Sequence, residues 1–431
     1  MIEKSEREQI IALINREVVP AIGCTEPIAV ALCVAKATET LGCRPEKIQA
    51  LLSANILKNA MGVGIPGTGM IGLPIAIALG ALIGKSEYQL EVLKDSTPEA
   101  VEEGKRLIDE QAISIGLKEG IKEKLYIEII CEAQGKKATA IISGGHTNFV
   151  YIAQGEEVLL NKQSVTSSEA SNNDIELTLQ KVYDFATQSP IEELKFILET
   201  RNLNKKAAER SFQGSYGHQL GKTLNSQKNE KLMMGDNTFT HILSYTSAAC
   251  DARMAGAMIP VMSNSGSGNQ GITATLPVVV YAEDNHKSKD ELTRALVLSH
   301  LTVIYIKQSL GRLSALCGCV VAATGSSCGI TYLMGGGYEQ ITYAVKNMIA
   351  NITGMICDGA KPSCALKLTS GVSTAVLSAI LAMEGKCVTS VEGIIDDDVD
   401  KSIRNLTRIG SQGMNETDKL VLEIMTNKQC N

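Results

Sequence analysis

The sequence predicts an α+β chain, a mainly helical domain into which a small α/β domain is inserted. Three observations carry this expectation. Apolar residues recur at helical spacing over most of the chain, as at Ile341, Val345, Met348, Ile352 and Met355. From 86 to 161 the pattern changes to short alternating runs separated by turn residues. The polar run 164–173 then reads as a linker back into helical sequence. A chain of 431 residues exceeds one ordinary core. Residues 1–85 and 172–431 are therefore assigned to the helical domain and 86–171 to the small α/β domain with its linker.

In chain order, Ser5 and Glu8 form a capping-box pattern for a first helix that ends by Pro20. The chain then turns through Gly23-Cys24-Thr25-Glu26-Pro27 into a second helix, with Thr25 as cap and Pro27 in the first turn. Cys24 thus stands just outside a helix N-terminus, either as a working thiol or as an idle loop cysteine. No charge lies between Lys58 and Lys85, but Gly62, Gly64, Pro66, Gly67, Gly69, Gly72 and Pro74 favour a buried glycine loop leading into a core helix over a membrane span. Residues 98–117 read as an amphipathic helix. Strands follow at 125–132, 137–143 and 147–153, with turns at Gln134-Gly135 and Gly144-Gly145. Everything beyond the linker reads as helical with glycine-rich breaks, including helices over 290–312 and 366–383.

The net charge of -6 and pI near 5.6 provide no basic patch for nucleic acid. Glu3, Lys4, Glu6 and Arg7 follow Met1 where a leader would be apolar, so a cytoplasmic protein with its twelve cysteines reduced is expected. Few aromatics and no Trp leave nothing to anchor at a membrane interface.

The chemistry concentrates in sulfur. Cys357-Asp358-Gly359-Ala360-Lys361-Pro362-Ser363-Cys364 is a turn between two helices. Pro362 fits a first helical turn and Ser363 a cap, placing Cys364 where the positive helix end favours a thiolate. Cys317-Gly318-Cys319 supplies further sulfurs from another helix end. Three thiolates with a fourth position open describe a catalytic zinc or an iron–sulfur cluster with one unliganded iron; the alternative is that these cysteines are small buried hydrophobes.

Three G-x-G-x-x-G matches, at 62–67, 67–72 and 266–271, lack the strand, helix and acidic residue that dinucleotide binding requires. The segment 264–271 reads instead as a cradle for a small anion such as a carboxylate, or as a flexible loop. His146, in a turn between strands, is the histidine that most suggests a site, against the reading of a hydrogen-bonded structural residue. His218, His241, His286 and His300 are assigned nothing, Cys33, Cys43, Cys131, Cys250 and Cys387 read as packing residues, and Cys328 in the 325–329 break stays undecided.

Gly23-Cys24-Thr25-Glu26-Pro27, Lys58-Asn59-Ala60-Met61-Gly62-Val63-Gly64-Ile65-Pro66, Cys317-Gly318-Cys319, and Gly354 through Lys361 with Cys364 together resemble the L-cysteine desulfidase family. That family is related through its helical half to the α region of iron–sulfur L-serine dehydratases, and the resemblance covers nearly the whole chain. It implies a [4Fe-4S] cluster held by three cysteines, carried here onto Cys319, Cys357 and Cys364, with Cys317 competing for the first place. The related dehydratases space their last two ligands more widely. Some of them fold a C-terminal cysteine onto the open iron, for which Cys430 is the counterpart, or a frayed tail.

The implied reaction is α,β-elimination of sulfide from L-cysteine, giving pyruvate and ammonia, in the helical catalytic domain. Cys24 becomes the candidate base or cluster neighbour and His146 the reserve. Lys58 and Asn59, with Ser265, Gly266, Ser267, Gly268 and Asn269, would hold the substrate carboxylate. A serine dehydratase working by the same elimination and a non-enzymatic metal or cluster sensor are the alternatives. A small amino acid is the expected partner, with no nucleic acid or membrane, and the chain is expected to form a homo-oligomer.

Overall fold

The computed structural model describes residues 2–121, 123–162, 175–227, 235–311 and 313–427. The linker expected at 164–173 and Cys430 lie outside them. The first half runs α1 (Lys4–Glu17), β1 (Pro20–Ile22), α2 (Thr25–Leu41), β2 (Lys47–Leu52), α3 (Ala54–Ala60), α4 (Leu73–Leu82), α5 (Pro98–Asp109), β3 (Ile113–Leu117), β4 (Tyr126–Ala133), β5 (Lys136–Ser143), β6 (Phe149–Gln154) and β7 (Glu157–Asn161). The second half is α6 (Leu179–Gln188), α7 (Leu198–Gln213), α8 (Leu220–Leu224), α9 (Thr238–Met254), β8 (Pro260–Met262), α10 (Gly268–Asp284), α11 (Lys289–Leu310), α12 (Gly318–Leu333), α13 (Tyr338–Ile352), α14 (Cys364–Met383), α15 (Val399–Arg408) and α16 (Asn415–Thr426). The chain is α+β, with a mixed sheet of six strands in the order β3-β2-β4-β5-β6-β7.

The sheet recruits more of the chain than the alternating pattern between 86 and 161 suggests. β2 lies inside it, antiparallel to β4 and parallel to β3. One hydrophobic core runs from Ile28 to Ile142, on both sides of residue 85. α2 is apolar all round, and all ten residues from Ile28 to Ala37 except Lys36 are buried, so sheet and α4 enclose it. Gly80 of α4 makes the crossing close: a Cβ there would stand 2.6 Å from the Ala31 carbonyl oxygen.

Several expectations are corrected. α1 starts from Glu3 with no side-chain cap, so Ser5 and Glu8 form no capping box there. Thr25 is the first residue of α2, and Cys24 occupies the N-cap. The helix expected over 98–117 stops at Asp109, because Gln111 turns left-handed at φ 54° and frees Ile113–Leu117 to pair with β2. β7 was not anticipated, nor was β8, which pairs with β1 inside the part read as wholly helical. The 325–329 break is the middle of α12, and Cys328 is a buried thiol there. Its glycines bring helices together: a Cβ at Gly325 would lie 2.5 Å from the Ser299 carbonyl oxygen of α11. Ser363 takes the N-cap position of α14 without a side-chain bond, Cys364 is the first helical residue, and Pro362 precedes both.

Among the described residues one helix, α14, is apolar and long enough to cross a membrane by composition, and half of its most apolar window is buried within the fold.

Candidate active site

Four N-termini of long helices, those of α2, α10, α12 and α14, and one irregular loop converge on a cleft of about 830 Å³, counted to its mouth. The sulfur end is built from two short extended segments. Leu316 and Ile356 form an antiparallel bridge, with Cys317 N–H donating to the Met355 carbonyl (2.9 Å) and Cys357 N–H to Ala315 (2.7 Å). Cys317 and Cys357 therefore sit diagonally on one face of that bridge. Cys317 is also the N-cap of α12, which carries Cys319 one residue into the helix, and Cys364 opens α14. All four thiols line the cleft.

Burial dominates their acidity. The Cys317 thiol is pushed up to about 12, and those of Cys319 and Cys364 are also raised, first by desolvation and then by the neighbouring thiols. Lys361 and Lys367 act in the opposite direction on Cys364 without overcoming burial. The expectation that the helix end alone favours a Cys364 thiolate is thus corrected: in the protein without a bound cation, desolvation wins. Cys319 donates to the Lys367 carbonyl at 3.2 Å. It is seated over Gly371 of α14, where a Cβ would come within 2.4 Å of its sulfur.

The second wall comes from α2 and the turn before α10. The Cys24 S–H donates to the Glu26 carboxylate at 2.9 Å, and Asn59 donates to the same carboxylate's other oxygen at 3.4 Å. Desolvation, and then the Glu26 charge, raise Cys24 well above the ordinary thiol range. Thr25 Oγ1 donates to the Gly266 carbonyl at 2.9 Å, tying α2 to the turn 264–267. That turn is closed by reciprocal backbone bonds between Asn264 and Ser267, with Ser265 and Gly266 at φ 48° and 81°. Ser267 caps α10 by accepting from Gln270 N–H. A tight capped turn replaces the flexible-loop alternative.

His300, left unassigned from sequence, supports this wall from α11. Asn264 donates to its Nδ1 (3.0 Å) and to its carbonyl (3.1 Å), and its Nε2 pairs with Thr275 Oγ1 (2.9 Å). Because the Thr275 hydroxyl donates to Gly271, Nε2 carries the imidazole hydrogen. His146 reaches the cleft from the turn between β5 and β6.

Of the twelve residues expected at the site, ten line this cleft. Gly268 and Lys58 do not. Gly268 lies against the Arg253 guanidinium, where a Cβ would be 2.3 Å from Nε. Lys58 is 1 % exposed, ion-paired to Asp418 of α16 and donating to the Cys357 carbonyl at 3.4 Å, so its ammonium positions the sulfur loop instead of a substrate. Glu26, Arg253, Gln270, Lys307 and Lys367 line the cleft without having been singled out. The signal for Glu26 was present in Gly23-Cys24-Thr25-Glu26-Pro27, whereas the others are ordinary polar residues of helices.

Among the described residues no three His, Cys, Asp or Glu side chains are arranged around a point that would hold a single metal ion. The donor set brought by the N-termini of α12 and α14 and by the Cys357 turn is four thiols. That chemistry suits iron–sulfur ligation, in which each thiolate takes a different iron and the sulfurs stand farther apart than around one ion.

Comparison with known proteins places this architecture. The family model described as "Serine dehydratase alpha chain" matches residues 87–423. A UPF0597 protein of Phocaeicola vulgatus is 83% identical over 430 residues, covering 100% of both chains. A UPF0597 protein of Parabacteroides distasonis is 64% identical, covering 98% of this chain and 99% of its own. Another from Oleidesulfovibrio alaskensis is 46% identical over 99% of each. With three quarters of its length matched by that family model, the chain belongs to the serine dehydratase alpha chain family.

Proposed function

We propose that the protein is a lyase that eliminates a β-substituent from a small L-α-amino acid, yielding pyruvate and ammonia after hydrolysis. The observation that carries this reading is the meeting, in one cleft, of four thiols with the Cys24–Glu26 pair and the capped turn before α10. In the finer reading Cys319, Cys357 and Cys364, with Cys317 as competitor, hold a [4Fe-4S] cluster. When bound, such a cluster supplies a soft Lewis acid for the leaving group.

The chain's own residues account for the rest. Elimination needs a base at Cα. Cys24 can take the Cα proton as it passes its own S–H proton to Glu26 along their 2.9 Å bond, so that the thiolate disfavoured by burial and the Glu26 charge never stands free. His146 is the second candidate for that proton. The hydroxyls and amides of 265–269 stabilise the substrate carboxylate as charge develops beside it.

Two leaving groups fit this mechanism. The motif set favours sulfide from L-cysteine, while the family match favours hydroxide from L-serine. The test is anaerobic reconstitution with iron and sulfide, then pyruvate release from L-cysteine and L-serine alongside a sulfide assay. Pyruvate from neither substrate, with the thiols fully loaded, would refute the lyase reading and leave the sensor alternative. A homo-oligomer is part of the proposal, supported by the exposed Leu366, Leu377, Ile380 and Leu381 of α14.

A further inference from the structure

Arg253 of α9 is a charged group in an unusual position. It is 2 % exposed and lines the cleft, and its hydrogen bond goes to a neutral amide instead of a carboxylate. Its Nη1 donates to the Asn269 amide oxygen at 2.9 Å, while its buried Nε has no acceptor. Its charge acts on the Cys24 and Cys250 thiols, and Glu26 lines the same cleft. Glu26 already accepts from Cys24 and Asn59. The neighbouring Asp251 turns its carboxylate to the Gly221 N–H on another face.

The guanidinium also lies against Gly268, the first residue of α10, where the positive end of the helix adds to its charge. Two positive features share one wall, and the carboxylate that lines the same cleft, Glu26, is already hydrogen-bonded to Cys24 and Asn59. A buried uncompensated cation is strongly unfavourable unless an anion completes it.

Gln270 gives the second half. It is 4 % exposed, lines the same cleft, and its Oε1 has no donor among the described residues. Its amide lies over Gly318, at 3.0–3.3 Å from where a Cβ there would be, beside the N-terminus of α12.

We propose that Arg253 receives the α-carboxylate of the amino-acid substrate and Gln270 Oε1 accepts from its α-ammonium, so that the β-substituent points toward the thiols. This rests on the lyase reading for the identity of the substrate, but it is a claim about binding. A bidentate guanidinium–carboxylate pair fixes the plane of the carboxylate as a lysine would not. Gly268 is glycine because any side chain would displace that guanidinium.

The test uses full-length protein and L-alanine, which has no leaving group, titrated by calorimetry beside propionate, lacking the amine, and ethanolamine, lacking the carboxylate. Wild type should bind L-alanine best. Arg253→Met should weaken L-alanine and propionate about 100-fold while leaving ethanolamine unchanged. Arg253→Lys should recover part of that loss. Gln270→Leu should weaken L-alanine but not propionate. Because a cation without a partner is removed, Arg253→Met should melt no lower than wild type, which a purely structural arginine would contradict. Wild-type L-alanine affinity in a folded Arg253→Met protein, or no L-alanine binding by wild type, would overturn the proposal. L-alanine binding of this pattern without pyruvate from L-serine or L-cysteine would instead remove the lyase reading and keep the site.

Discussion

Replacing Gly371 by alanine tests whether the sulfur end is assembled by helix contact. The new Cβ would lie 2.4 Å from Cys319 Sγ and 3.3 Å from Ala323 Cβ. An ordinary contact needs about 3.5–4.0 Å, so α12 and α14 must separate or the thiol must move by more than about 1 Å. Overpacking of this kind costs about 1–3 kcal/mol. Opposing it, alanine inside a helix is favoured over glycine by about 1 kcal/mol. The expected net is a destabilisation of about 0–2 kcal/mol in the cluster-free protein, read as a lower thermal midpoint or urea midpoint. The sign should change in a Cys319→Ala background, where the sulfur is gone and the propensity term remains, so the same substitution becomes neutral or stabilising by up to about 1 kcal/mol. Equal cost in both backgrounds would refute the argument that Gly371 exists to seat Cys319. Reconstituted cluster yield adds a second reading: it falls in Gly371→Ala if Cys319 is a ligand and holds if Cys317 is.

Three further outcomes follow from the site. Lys58→Met should cost about 2–4 kcal/mol, because Asp418 and the Cys357 carbonyl lose a buried ammonium, and Asp418→Asn in that background should restore part of it on urea unfolding. Burial lowers His300 to about 3, so its contribution to stability is complete above about 6.5 and is lost as pH falls toward 3, at about 1.4 kcal/mol per pH unit; His300→Gln should flatten that limb when unfolding is compared at pH 7, 6 and 5. Cys357→Ser and Cys364→Ser should each abolish the broad visible absorption of an anaerobically reconstituted cluster, whereas Cys33→Ser, whose thiol donates to the Ala140 carbonyl inside the sheet core, should keep it.

Much of this site was legible because its parts are local. A cysteine before a helix, a serine and glycine turn before another, and a Cys-Gly-Cys at a third announce themselves within a few residues. The failures are of two physical kinds. β2 and β3 are short strands whose pairing is long-range: Ile48 faces Ile113 and Leu52 faces Leu117 across 65 residues of separation, and five or six alternating residues do not say which distant strand they join. Glycines in α12 look like breaks, but they allow backbone contact with α11 that no local pattern encodes. Arg253 and Gln270 were invisible for a related reason, since a polar residue on a helix declares nothing until the fold buries it.

The loop carrying Cys357 is held by lysines. Lys367 donates to the Ile356 carbonyl (2.7 Å), Lys58 to Cys357 (3.4 Å), and Lys361 to Asp358 (3.1 Å) and Gly359 (3.1 Å). Four consecutive carbonyls are thus satisfied by ammonium groups, in a stretch that has no helix or strand to do it. Asp358, ion-paired with Lys361 and Lys367, is held down at about 2 and balances their charge outside the cleft. The consequence is directional. With its acceptors turned toward cations, the loop is left to offer its thiol, and the same cations offset negative charge that gathers when cysteines ionise to ligate iron. Buried thiols that are raised when empty and surrounded by lysines are suited to a ligand that displaces their protons, and unsuited to standing as permanent thiolates.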